Sequence, residues 1–296
     1  MEEETLIILL LLLAHLIADF WLQTNLMVKN KIKNLKKHML HHLIATGIAL
    51  IIIWGYHDHF TDIFSYLLLP LAFILVTHLV IDMLKLKLFD TIKITDSNSL
   101  KKLWFFLSDQ ILHITMLLIT CILFFHIDTT TMMSSLLQQY SGDNGINSLG
   151  VVNTMILIVI LFILATSVSG HIVKLVVGSL PSEFTNFEGE FTLNNTTKAI
   201  KQPQSESNFT EQYHYLTYSS PLPSRGRLIG YIERLLVISL VIVAAYPSIA
   251  FIIAAKSIAR FKQLDDRNWA EYFLLGTLIS IFLGLMLGLL AKEIIM

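Results

Sequence analysis

The chain holds one cysteine, Cys121, in 296 residues, and it lies in an apolar stretch. That excludes an intrachain disulfide and any metal site built on thiolates, so a metal would have to be held by histidine and carboxylate. Charge is scarce as well: Asp, Glu, Lys and Arg make up 15% of the residues, the net charge is -1 and the pI is near 6.8. Without a global basic field, nucleic acid is excluded as a partner. The N-terminus also lacks the basic segment and small-residue cleavage site of a signal peptide, since three glutamates, Glu2 to Glu4, precede Leu6 to Leu13. It reads as a retained first span. No soluble domain is evident.

What is abundant is apolar. Hydrophobic residues are 54% of the chain and the mean hydropathy is +0.67, outside the range of an ordinary soluble domain. The fold class expected is all-α, a polytopic membrane helical bundle. Apolar runs place spans near 5–24, 38–56, 63–86, 103–126, 150–178, 228–246 and 269–292, each close to the roughly 20 residues a bilayer requires. Pro247 suits the first turn of a further short helix reaching Phe261. That makes eight spans.

Lysine and arginine orient them, because short cytoplasmic loops collect positive charge. The segment 29–37 carries five lysines, and Lys85, Lys87, Lys93, Lys101 and Lys102 follow two spans later. The loops near 57–62 and 127–149 contain neither Lys nor Arg. Only a hairpin at Pro247 keeps Lys256, Arg260, Lys262 and Arg267 on the cytoplasmic side. The organisation expected is a four-span domain at 1–126, an outer loop at 127–149 with a short helix over Leu136 to Tyr140, a fifth span at 150–180, a Ser-, Thr- and Asn-rich cytoplasmic linker at 181–225 and a three-span bundle at 226–296.

The first four spans each carry a polar pair spaced i, i+4: His15/Asp19, His38/His42, His78/Asp82 and Asp109/His113. That spacing puts both side chains on one helix face. At 1.5 Å per residue, Asp19, His42, Asp82 and Asp109 lie roughly 6–9 Å from the cytoplasmic boundary and His15, His78 and His113 roughly 12–15 Å deep. Four helices thus offer their polar pairs at one level in the inner leaflet. His15 to Asp19 and His78 to Asp82 occupy equivalent places in spans running the same way, so the two hairpins read as a duplicated unit, each supplying half a site.

Five His and three Asp exceed what one tetrahedral zinc can use; they suit two metals, or one metal with carboxylates orienting the imidazoles. Zinc, manganese and iron all accept such ligands. Lys85 is placed to bind a phosphate or oxyanion, or to snorkel to the headgroups, and Asp109 is the candidate general base. Gln23 and Gln110 flank the set and suit holding a carboxylate or positioning substrate. The competing reading of all these residues is a proton relay or polar glue between helices. His41, His57 and His59 point elsewhere and are excluded; His171 and Lys174 read as isolated. Glu233, Arg234, Lys256, Arg260 and Glu271 read as ion pairs, and Gly276, Gly284 and Gly288 as a stripe for close helix packing.

The motif series His15 to Thr24, His38-x3-His42, His78 to Asp82 with Lys85, and Asp109-Gln110-x2-His113 resembles a bacterial membrane family catalogued as domain of unknown function 3307, over residues 5–125. The stretches Ile229 to Leu235 and Ala270 to Ser280 are similar to the C-terminal part of its longer members. The resemblance implies a multi-pass protein of the bacterial inner membrane and no established activity. From the residues, the function expected is a metal-dependent hydrolase acting on a lipid or membrane-proximal peptide. The alternatives are a transporter for divalent metal or protons, against which the absence of a central Pro or Gly pair counts, and a scaffold or sensor without catalysis.

Overall fold

The computed structural model describes residues 2–24, 27, 31–57, 60–92, 99–128, 150–178, 225–261, 264 and 267–295. Among these the chain is helical: α1 (Glu2–Trp21), α2 (Lys31–His57), α3 (Leu69–Ile92, entered through a π-turn at Phe64–Leu68), α4 (Ser99–Phe125), α5 (Val151–Val177), α6 (Arg225–Ile242), α7 (Tyr246–Ala259) and α8 (Arg267–Ile295). Helices are the solution a lipid solvent forces, because each backbone N–H and C=O finds its partner within the segment. Six of them, α1 to α5 and α8, are long and apolar enough to cross a membrane. The linker at 181–225, except its last residue, and the helix expected at Leu136 to Tyr140 lie outside the described residues.

The hairpin expected at Pro247 is present: α6 ends at Ile242, Ala244 takes a positive φ of 56°, and Pro247 sits in the first turn of α7. These two helices differ from the other six. α6 carries Arg227, Glu233 and Arg234, and α7 has 14 residues, about 21 Å against a hydrocarbon core of about 30 Å.

Three of the first four helices, α2 to α4, divide into an exposed face and an inward stripe at helical spacing, while α1 is enclosed on all sides between Glu3 and Phe20. On α2, Leu40, Ile44, Ile48 and Ile51 are exposed, while His38, His42, Thr46, Ala49, Leu50 and Ile53 are buried. On α4 the buried stripe is Phe106, Asp109, His113, Leu117 and Cys121. On α3, Ile74, His78, Ile81 and Asp82 turn inward and Val76, Val80 and Met83 turn out. Every stripe is polar toward one end and apolar toward the other. At the apolar end Ile7, Leu11, Leu50, Ile53, Ile74, Leu117, Cys121 and Phe125 form one packed cluster, and Glu3 on α1 meets His57 on α2 at 2.6 Å. The lysines of α2, α3 and α4 gather at the other, basic end.

The second half docks through α5 and α8. α5 packs Ile160 and Ile163 against Leu9 and Leu16 of α1. α8 lies on α6 with Val237, Val241 and Ile281 in contact. A Cβ on Gly284 would stand 3.0 Å from Val237, and one on Gly288 2.8 Å from Val241. Gly284 and Gly288 therefore serve close approach of α6 and α8, as expected, while Gly276 faces Val177 of α5 at 3.6 Å; such fits matter because van der Waals packing drives association in lipid.

Candidate metal centre

All four polar pairs converge at the basic end of the first four helices. His15, His38, His42, His78 and His113 are each at most 4% exposed, as are Asp82 at 1% and, nearly, Asp109 at 5%. Their imidazoles are in contact: the His78 ring lies 3.7 Å from that of His42 and 4.2 Å from that of His113, centroid to centroid. His15 is 5.2 Å from His113.

The hub is His38 Nε2. It is 3.2 Å from His78 Nε2, 3.5 Å from Asp19 Oδ1 and 3.5 Å from Asp82 Oδ2. His42 Nε2 is 2.9 Å from the same Asp19 Oδ1. Ligands about 2.0–2.2 Å from a tetrahedral metal stand roughly 3.3–3.6 Å from one another, so these separations resemble the edges of a coordination polyhedron. Two imidazole nitrogens facing each other at 3.2 Å need a proton or a cation between their lone pairs. Asp19, His38, His42 and His78 each place one ligand atom within 4.8 Å of the other three, and His78, Asp82 and His113 form a second such group. His78 belongs to both. The first group comes from α1 and α2 plus His78, the second from α3 and α4.

The remaining residues support this arrangement. Gln110 Nε2 donates to Asp19 Oδ2 at 3.2 Å, which fixes the carboxylate so that Oδ1 faces His38 and His42. Such outer hydrogen bonds orient ligands and tune their basicity. His15 Nε2 is 3.4 Å from Gln110 Oε1 and 3.7 Å from Asp19 Oδ2, outside both ligand groups. Asp109 is likewise outside them: Lys85 Nζ donates to its Oδ2, while its Oδ1 stands 3.6 Å from His113 Nε2. Lys85 thus pairs with the candidate base rather than pointing away to the headgroups. Three carboxylates against one ammonium leave a formal charge of -2, which a divalent cation neutralises. The donor set fits such an ion.

Asp19 sits in a π-turn, Ile17–Trp21, that closes α1. Another, Leu164–Val168, interrupts α5. Arg234, 3% exposed, donates Nε to Ala165 O and Nη2 to Thr166 O of that turn, and Nη1 to Ser280. Arg234 is therefore not an ion-pair partner as expected; it satisfies carbonyls of the irregular turn. Glu233 does pair with Lys256, at 2.6 Å, and Arg267 with Glu271, at 2.9 Å.

The centre opens one way. A cleft of about 1380 Å³ begins at Asp19, His38, Lys85, Asp109 and Gln110 and is walled on its other side by α5 to α8. Gln23, His171 and Lys174 line it. His171 and Lys174, isolated in the sequence reading, thus face the cleft across from Lys85, and His171 also packs on Phe106 at 4.7 Å. Toward the apolar end the imidazoles meet only a small void beside Thr46, Thr77 and Leu117, and then the packed cluster.

Residues 7–141 match the family described as Protein of unknown function (DUF3307), so the resemblance carried by the four motifs holds over the whole ligand set. No curated protein and no solved structure matches the chain.

Proposed function

We propose that this is a metal-dependent hydrolase of the bacterial inner membrane, acting at the inner leaflet on a lipid or other membrane-proximal substrate. The observation that carries the reading is the convergence of Asp19, His38, His42 and His78, whose ligand atoms all lie within 4.8 Å of one another, with His42–Asp19, His38–His78 and His38–Asp19 at 2.9, 3.2 and 3.5 Å, beside an open cleft that Asp19 and His38 line. Zinc, manganese or iron bound there would supply Lewis acidity and lower the pKa of a coordinated water toward ~7.

The protein's own groups have separate tasks. Asp19, His38, His42 and His78 would hold the ion, with Asp82 and His113 completing a second group that shares His78. Gln110 orients Asp19. Asp109, facing the cleft and partnered by Lys85, is the group placed to take a proton from the attacking water, and Lys85 stands ready to hold an anionic group once Asp109 is protonated. The packed cluster excludes water from the other side, which favours an enzyme open to one face over a conduit open to both. The lysines gathered at this end support a cytoplasmic orientation of that face.

Elemental analysis of the purified full-length protein, paired with release of product from lipid substrates, tests the reading. A stoichiometric transition metal and a hydrolytic activity should both be lost in His38→Ala and His42→Ala. Metal uptake into proteoliposomes without hydrolysis would move the assignment to transport, and protein free of metal after supplementation would remove the chemistry altogether.

A further inference from the structure

The cleft has a second wall whose chemistry is cationic. Lys174 of α5, Arg227 of α6 and Arg260, which caps the C-terminus of α7, all line it. Among the described residues none of these three has a carboxylate within 4 Å, whereas Lys85 pairs with Asp109, Lys256 with Glu233, and Arg234 with backbone carbonyls. The same cleft thus carries three cations with no carboxylate beside them, Arg260 holding its guanidinium 5.8 Å from the centroid of the Phe273 ring, and their common sign favours uptake of an anion there. They sit at the basic end, level with the headgroups if the lysines mark the cytoplasmic side. Phe20, Phe89, Phe106 and Tyr231 line the same cleft.

Cations and aromatic rings lining one cleft, contiguous with a ligand centre, suit a molecule with a phosphate head and an apolar tail. We propose that the cleft is the binding site for a lipid phosphate, with the phosphate held by Lys174, Arg227 and Arg260 and the first stretch of the tail against Phe20 and Phe106. The guanidinium groups of Arg227 and Arg260 offer paired donors to phosphate oxygens, which an ammonium cannot. This deepens the hydrolase reading by naming its substrate class, and it rests on that reading only for what happens to the lipid after binding.

Binding of phosphatidic acid to the full-length protein in neutral detergent, followed by native mass spectrometry, tests it. Phosphatidic acid should bind about tenfold tighter than phosphatidylcholine, than a fatty-acid carboxylate of equal chain length and than glycerol 3-phosphate, which has the phosphate without the tail. The triple variant Lys174→Gln, Arg227→Gln, Arg260→Gln should lose about that factor. Lys33→Gln, Lys36→Gln, Lys87→Gln, at the same end of the bundle but outside the cleft, should keep wild-type affinity. Equal binding by the cleft triple and the wild type overturns the proposal, as does equal binding of the carboxylate or of glycerol 3-phosphate. Measuring all forms with and without metal separates the two readings. His38→Ala should lose the metal and still bind phosphatidic acid, whereas wild-type protein that takes up no metal after supplementation yet selects the lipid refutes the hydrolase and leaves the lipid site standing.

Discussion

Replacing His78 by alanine is the sharpest perturbation of the centre, because His78 alone belongs to both ligand groups. Structural zinc sites with four ligands are worth about 10–16 kcal/mol. An equal share per ligand is about 3 kcal/mol, on the order of 100-fold in Kd. His113 makes a matched control: both residues are 3% exposed, and their rings stack at 4.2 Å. Removing either imidazole therefore costs similar packing, but His113→Ala leaves Asp19, His38, His42 and His78 intact. The expected outcome is a loss of about 100-fold in metal affinity for His78→Ala against roughly tenfold or less for His113→Ala. Competition with a chromophoric chelator in detergent reads the affinity, and metal content after purification reads the stoichiometry. Equal metal binding by the two variants would show that the four-residue group is not the ligand set, and the reasoning from its distances would fail.

Three further outcomes follow from other parts of the structure. Lys85→Met should destabilise the protein by about 3 kcal/mol, because it strands the buried Asp109 carboxylate, and Asp109→Asn in the same chain should recover most of the loss; thermal unfolding in detergent with and without the second change decides this. Gly288→Ala, whose Cβ would stand 2.8 Å from Val241, should cost about 1–3 kcal/mol by forcing α6 and α8 apart, whereas Gly47→Ala, with open space around it, should be neutral or slightly stabilising in the same assay. Binding of a divalent ion to metal-free protein should release about two protons in weakly buffered solution, because the formal charge of -2 must otherwise be met by protons; binding without proton release would contradict that balance.

Much of the centre was legible because its geometry is local to each helix. An i, i+4 pair faces one way whatever the helix packs against, so the sequence supplied His15, His38, His42, His78, Asp19, Asp82, Asp109 and His113 as one set before any contact was known. What pairs with what was not legible, since it depends on the rotation of neighbouring helices. Lys85 is one turn beyond Asp82 on α3, yet its partner is Asp109 on α4. Arg234 could not be assigned either: its acceptors are carbonyls of the π-turn at Leu164–Val168, and apolar periodicity carries no sign of a π-turn in Leu164, Ala165 and Thr166. The polar face of α5 did leave a trace. Ser167, Gly170, His171 and Lys174 repeat at three- and four-residue intervals and all line the cleft, a stripe that reading His171 and Lys174 singly had missed.

The matched family segment and the cleft divide the molecule in an informative way. Residues 7–141 contain every member of both ligand groups, Gln110 and the Lys85–Asp109 pair. The opposite wall, with Lys174, Arg227, Arg260 and Tyr231, lies wholly outside that segment. Metal chemistry needs donors fixed to within tenths of an ångström, which rigid helix-borne pairs provide. Selecting a substrate needs only a surface of suitable charge and shape facing those donors. Separating the two tasks onto different helices lets the second wall change without disturbing the first. The structure also shows the cost of omitting that wall: α5 and α8 are what screen the Asp19 and Asp109 face from lipid, and a charged carboxyl open to hydrocarbon at a helix centre is disfavoured by about 2.5–3.5 kcal/mol. The C-terminal helices therefore serve the same centre twice on the proposed reading, by keeping its carboxylates out of lipid and by selecting what approaches them.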